Sequence, residues 1–300
     1  DGHSPMLRGK QLNAYIAAGI QNCHETIFAD EAKEKLQKGM GLIIREGSVA
    51  KNLKTLMPVV NEFNSCQCML CTDDRNPYEI FNEGHINFMV KKMINELETP
   101  VHVAYRLSSY SAAKHFGLKK LGLIAPGKQA DIALIGDLEK VDVQEVFKKG
   151  EVVSELGLFD NLEKKLKESN PPTENTIKRN FLAPTDFNYD LQPGTYNVME
   201  IVKDEIITNH LKVVFDGDDF DQDDISFITV IERYGQNRKP SLGLVKGMGL
   251  TRGAIASSVA HDSHNIVVIG KTPQDIATAA NEIIENAGGF CVVDKGRVTA

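Results

Sequence analysis

The chain has no apolar run near the roughly 20 residues that span a bilayer, so no membrane partner is expected. It has no basic excess either: 34 Lys and Arg against 41 Asp and Glu give a net charge of −7. A nucleic-acid-binding surface wants a basic face, so nucleic acid is not an expected partner, and the acidic balance favours a small molecule. A disulfide framework is also lacking, because the five cysteines are odd in number and irregular in spacing. Reduced thiols in a cytoplasmic protein are the simplest expectation. There is no internal repeat. The opening "DGHSPMLRGK" carries neither an initiator methionine nor a signal peptide and reads as the continuation of a longer chain.

What is present is 300 residues of ordinary globular composition, 42% hydrophobic and 25% charged. Up to about residue 120, short apolar runs alternate with helical patterns. "LRGKQLNAYIAAGI" places Leu12, Tyr15, Ile16 and Ile20 on one helical face. "IQNCHE", "GLIIREGS" and "CQCMLCTDD" read as strands with polar exits. "FADEAKEKLQKGM", "VAKNLKTLMPVVNEF" as far as Pro58, "NEGHINFMVKKMINE" and "PVHVAYRLSSYSAAKHFG" read as helices. Such alternation implies parallel strands with crossover helices, an α/β class. Residues 121–155 read as a small β-segment with a hairpin at Lys149-Gly150. Residues 156–195 are polar, contain Pro171-Pro172, and read as an irregular linker. Residues 196–300 form an α+β region with an acidic loop, "DGDDFDQDD". Its helix begins at Thr272 as N-cap with Pro273 at the first helical position.

Chemistry-bearing residues sit at successive strand exits: Asp1-Gly2-His3, Cys23-His24-Glu25, Arg45-Glu46-Gly47-Ser48 and Thr72-Asp73-Asp74-Arg75. In a (β/α) barrel the C-terminal strand ends carry the site. Imidazole nitrogen with carboxylate oxygen suits Zn, Fe or Mn better than Mg or Ca. A metal held there would depress the pKa of a bound water, and a neighbouring Asp could move its proton. Plainer readings stand beside this one. Either histidine alone is more often a surface residue, Asp73-Asp74 is a helix cap, Glu25 complements a helix dipole, and Arg45-Glu46 is a surface ion pair.

Cys68-Met69-Leu70-Cys71 has C-x-x-C spacing, with Cys66 nearby. A structural zinc site wants a second pair, and none follows. The apolar residues between the thiols favour buried packing in a strand. The H-x-E and P-C-x-x-C signatures of zinc nucleobase deaminases are both absent. His261-Asp262-Ser263-His264, between two strands, reads as a hydrogen-bonded turn before it reads as a triad or a metal site.

The run "DGHSPMLRGKQLNAYIAAGIQNCHE", then "IREGS", then "CTDDRNP" with "EGHI", resembles the metal-binding half of bacterial adenine deaminases, of the amidohydrolase superfamily. "HFGLKKLGLIAPGKQADIALIGDLE" is similar to that superfamily's return from barrel to β-sandwich. "KGMGLTRGAIASSVAHDSHNIVVIG" resembles the C-terminal domain of adenine deaminases. The resemblance implies a partial (β/α) TIM-like barrel, strands five to eight, over residues 1–120. A β-sandwich segment over 121–155 and a C-terminal α+β domain over 196–300 would follow. It implies hydrolysis of adenine to hypoxanthine and ammonia in purine salvage, at a binuclear Mn or Fe centre, with Zn an alternative.

Carried onto this sequence, His3, His24 and Asp73 would hold metal, and Asp73 would also shuttle the proton. Asp74, Arg45 and Glu46 would contact substrate. Cys23 stands where the family usually has aspartate, which would remove a hydrogen bond behind the metal ligands. The family's H-x-H pair and bridging glutamate have no counterpart here. The expected partners are therefore adenine, a second copy in a homo-oligomer, and a separate or upstream N-terminal half-barrel. A cyclic amide hydrolase of the same superfamily, or an inactive fragment acting as an assembly module, are the alternatives.

Overall fold

The computed structural model describes residues 1–155, 157, 162–169, 174–217, 224–236 and 238–300. Pro171-Pro172 and the centre of the acidic loop lie outside the described residues. The chain divides into two compact units, Asp1–Glu168 with Lys203–Ile206, and Ser169–Val202 with Ile207–Ala300.

The first unit contains a three-stranded parallel sheet in the order β1 (Asn22–Cys23), β2 (Gly41–Arg45) and β3 (Cys68–Cys71). Every residue of β2 is buried. Parallel strands covered on both faces have this near-continuous apolar character. Helix α1 (Gly9–Ala17) leads into β1, and the crossovers are α2 (Ala29–Gln37) and α3 (Leu53–Leu56). Pro58 follows α3 in a short 3-10 turn, since it cannot extend the α ladder. Helices α4 (Pro77–Glu83), α5 (Ile86–Asn95), α6 (Val101–Ser108) and α7 (Tyr110–His115) complete the α/β layer. Leu42, Ile44, Leu56, Met89, Met93, Val103 and Leu107 form its core.

Two local outcomes differ from the sequence pattern. The single helix expected from Pro100 is broken at Ser109, which has φ −136° and ψ −77°. Ser108 and Ser109 both turn their hydroxyls onto the Tyr105 carbonyl, at 3.1 and 2.6 Å. Such side-chain bonding competes with the helical ladder. Helix α4 has no counterpart in the sequence reading. Its signal was Asn76-Pro77: the Asn76 side chain accepts from the Glu79 N–H at 2.9 Å, and Pro77 takes the first helical position.

A second sheet of this unit joins β4 (Ile132–Ile135), β5 (Val143–Lys148) and β6 (Glu151–Val152). Lys149 and Gly150 link β5 to β6 with φ of 54° and 87°, the two-residue turn that suits hairpin twist. Helix α8 (Leu162–Ser169) follows.

The second unit is an eight-stranded mixed sheet built from β7 (Gly194–Ile201), β8 (Thr208–Phe215), β9 (Ile225–Ile231), β10 (Ser241–Lys246), β11 (Ala254–Ala260), β12 (Asn265–Gly270), β13 (Phe290–Asp294) and β14 (Arg297–Val298). The order is β14-β13-β11-β12-β9-β10-β7-β8. Helix α9 (Pro273–Glu285) packs on β11, β12 and β13. The Thr272 hydroxyl accepts from the Asp275 N–H at 3.1 Å as its N-cap. Part of the stretch expected as a linker belongs to this core. Ile177, Leu182 and Phe187 are buried with the α9 side chains, and Asn281 bonds both backbone groups of Leu182, at 2.8 and 2.9 Å.

Candidate metal centre

The strand exits of the first unit bring four of the singled-out residues together. Residues 1–3 run extended beside β1, and the His24 N–H donates to the Gly2 carbonyl at 3.4 Å. A side chain at Gly2 would lie 2.6 Å from Ile20 and 2.9 Å from the Tyr15 hydroxyl, so only glycine allows this approach. Tyr15 then accepts the His3 N–H at 3.0 Å and fixes where His3 leaves the backbone. The His3 and His24 rings stand edge-on with centroids 4.5 Å apart.

His24 is buried, and burial lowers its pKa, with His3 adding to the effect. Its Nδ1 lies 3.1 Å from Asp1 Oδ1, and its Nε2 lies 3.6 Å from Asp73 Oδ1. His3 Nδ1 faces Glu25 Oε1 at 3.2 Å. Asp73 sits at φ 48°, a left-handed conformation that Asp tolerates better than most residues. This turns the carboxylate back over the sheet end. Its second oxygen, Oδ2, accepts from Arg45 Nη1 at 3.1 Å. Arg45 is only 4% exposed, and its Nε and Nη2 have no partner among the described residues.

The neighbouring candidates do different things. Asp74 is exposed, and its Oδ2 accepts the Val49 N–H at 2.7 Å. Glu46 is buried; its Oε1 accepts from Lys92 at 2.5 Å and its Oε2 from the Leu53 N–H at 3.0 Å. Asp1, named at the first strand exit, has no part in the ligand set expected from sequence, because nothing in the spacing pairs it with a histidine 23 positions on. Among the described residues, Asp1, His3 and His24 form a group whose ligand atoms all lie within 4.8 Å of one another.

The donor set fits a divalent cation. Bonds of about 2.1 Å to nitrogen and oxygen place two tetrahedral ligands about 3.4 Å apart, close to the 3.6 Å between His24 Nε2 and Asp73 Oδ1. Asp1 on Nδ1 would leave Nε2 as the ligating nitrogen, as an outer carboxylate does in metal–histidine pairs.

The cysteines stand apart from this set. All five are free thiols, and burial pushes Cys68 and Cys71 up to about 12. Such thiols stay protonated, as packing residues do. In the second unit, His261–His264 form the turn between β11 and β12. The His264 N–H donates to the Ala260 carbonyl at 2.6 Å, while Tyr234 and Arg233 bond the Ser263 and His264 carbonyls at 2.6 and 2.7 Å.

Residues 11–153 match the model of the amidohydrolase family, and residues 205–300 match that of the adenine deaminase C-terminal domain. The chain is 62% identical over 300 residues to the adenine deaminase of Bdellovibrio bacteriovorus and 55% identical over 300 residues to that of Shewanella halifaxensis. It is 52% identical over 299 residues to that of Escherichia coli. These alignments cover 99–100% of this chain and 51% of each relative. The chain thus spans about half the length of the curated relatives it matches. Asp1 and His3 precede the stretch that matches the amidohydrolase model and His24 and Asp73 lie within it, while the turn at His261–His264 lies within the stretch that matches the adenine deaminase C-terminal model. Among the described residues, no helix is long and apolar enough to cross a membrane.

Proposed function

We propose that this chain supplies part of the active site of a metal-dependent adenine deaminase acting in purine salvage. The observation that carries the reading is the meeting of His24 Nε2 and Asp73 Oδ1 at 3.6 Å beside His3, in a chain 52–62% identical to proteins named adenine deaminase. We take β1–β3 and the extended residues 1–3 as the strand-five to strand-eight side of a (β/α) barrel over 1–120. The β-sandwich segment over 121–155 and the α+β domain over 196–300 follow. Residues outside this chain would complete the barrel and the ligand set, and the assembly would be a cytoplasmic homo-oligomer.

His3, His24 and Asp73 would hold a divalent ion, Mn or Fe in a binuclear centre, with Zn able to take the same donors. When bound, that ion supplies a water of depressed pKa. That water would be the source of the oxygen that replaces the amino group on the ring carbon. Asp73 accepts the water's proton and passes it to the departing nitrogen. The carbon–nitrogen bond breaks, leaving hypoxanthine and ammonia.

Arg45 donates to Asp73 Oδ2 and fixes that carboxylate, and its Nε and Nη2, without a partner among the described residues, would supply further donors for an acceptor on the purine. Asp74 retains Oδ1 for a ring N–H. Glu46, with both oxygens engaged, acts by fixing the strand exit rather than by touching substrate.

The test is conversion of adenine by two Mn-loaded samples. One is the 300-residue chain, and the other is the same chain joined to the preceding half of the Bdellovibrio relative. Hypoxanthine and ammonia from the joined protein are expected. No product from the joined protein would refute the reading and favour an assembly role. Turnover of a cyclic amide in place of adenine would move the chain to another amidohydrolase reaction.

A further inference from the structure

Helix α2 is polar in sequence, yet it buries an ion pair. Glu31 and Lys35, one turn apart, are both fully buried, with Lys35 Nζ donating to Glu31 Oε1 at 2.6 Å. A buried pair of charges is costly to desolvate and is often replaceable by apolar side chains without loss of stability. Stability alone therefore does not account for it. Its remaining hydrogen bonds suggest what does.

Lys35 Nζ is also within hydrogen-bond reach of the Ser4 carbonyl at 2.7 Å, Thr26 Oγ1 at 3.1 Å and Cys23 Sγ at 3.4 Å, so that its three protons are shared among four acceptors. Glu31 Oε1 accepts the Met6 N–H at 3.0 Å, and its Oε2 accepts the Ile27 N–H at 3.3 Å. Ser4 and Met6 belong to the loop that leaves His3. Cys23, Thr26 and Ile27 flank His24. Among the described residues, every side-chain bond of this pair outside α2 runs to one of these two segments. An ammonium with three protons and a carboxylate with four lone-pair sites can tie together several backbone groups at once, which no apolar pair could do.

We propose that Glu31 and Lys35 are positioning residues of the metal centre: a buried clamp on α2 that sets the spacing of the His3 and His24 loops. The proposal rests on the reading of those histidines as ligands. It assigns the ion pair to metal affinity rather than to stability.

The experiment is a Co2+ titration of the 300-residue chain, followed by visible absorption. Four proteins are compared: unmodified, Lys35→Met, Glu31→Leu with Lys35→Met, and the core control Leu107→Ala. Lys35→Met is expected to weaken Co2+ binding 10- to 100-fold, the usual loss when support behind metal ligands is removed. The double variant is expected to recover the melting temperature of the metal-free protein while its Co2+ affinity stays low. Leu107→Ala is expected to melt earlier with unchanged Co2+ affinity. Unmodified affinity in the double variant, or an equal loss in Leu107→Ala, would overturn the clamp.

If the unmodified chain gives no Co2+ spectrum, the metal reading of this chain alone fails, and the clamp is judged without metal. A cross-relaxation signal between the His3 and His24 rings should be present in the unmodified chain and in Leu107→Ala, and lost in the double variant. Its persistence in the double variant would overturn the clamp.

Discussion

Replacing Gly47 by alanine should displace the Asp73-Asp74 turn. A Cβ built at Gly47 overlaps Asp74 Oδ1, lies 2.7 Å from its Cγ, and lies 2.9 Å from the Thr72 carbonyl oxygen. The Thr72 oxygen is backbone and cannot rotate away, so overpacking should cost about 1–3 kcal/mol. Asp74 can move, but only by releasing the Val49 N–H that it holds at 2.7 Å. For an exposed carboxylate that bond contributes about 1 kcal/mol. The sum is about 2–4 kcal/mol. Asp74→Ala removes the carboxylate that the new methyl would strike. In that background Gly47→Ala should keep only the overpacking against Thr72, about 1–3 kcal/mol, leaving a coupling of about 1 kcal/mol between the sites. The chain contains no tryptophan, so urea unfolding is followed by circular dichroism rather than by indole fluorescence. Independent, additive costs, or a Gly47→Ala cost under about 0.5 kcal/mol, would refute the geometry given to this turn.

Burial lowers the pKa of both His24 and His115 from 6.5. The unfolded chain therefore binds protons more readily just below that pH, and stability should be complete above about 6.5 and fall as the pH drops. Melting temperatures at pH 7.5, 6.5 and 5.5 check this, and a flat profile would contradict it. Asp30 and Asp131, held down to about 2 by Arg8 and Lys148, lose their share only at lower pH. Cys23→Asp should fold and tighten Co2+ binding, because Lys35 Nζ and the Glu25 N–H already face the sulfur, each at 3.4 Å; loss of folding would contradict it. Thr272→Ala should destabilise the second unit by about 1 kcal/mol through loss of the α9 cap, measured as a lower urea midpoint for that unit.

The strands β1–β3 were legible because they are apolar runs ended by polar residues, and α9 because Thr272 and Pro273 mark its start. His24 and Asp73 could be picked out because each follows such a run, and His3 because the run "DGHSPMLRGK" carries the family resemblance. Asp1 and Arg45 were harder to place. The roles the structure gives them depend on contacts across 23 and 28 positions that no local spacing records. The Glu31–Lys35 pair was invisible for the opposite reason: at i and i+4 it looks like an ordinary solvent-facing helix pair, and only the fold buries it. Helix α4 and the break at Ser109 turn on single side-chain bonds to backbone, which periodicity does not detect. The core residues within 177–187 were masked by the polar composition around them.

In the proposed mechanism Asp73 serves both as metal ligand and as proton carrier. The direct measurement is the rate of hypoxanthine formation by the chain joined to the preceding half of a relative, with Asp73 unmodified and with Asp73→Asn. Asp73→Asn should lower kcat about 10²- to 10⁴-fold and lose the bound metal. A variant that keeps both its metal and its rate would contradict this mechanism.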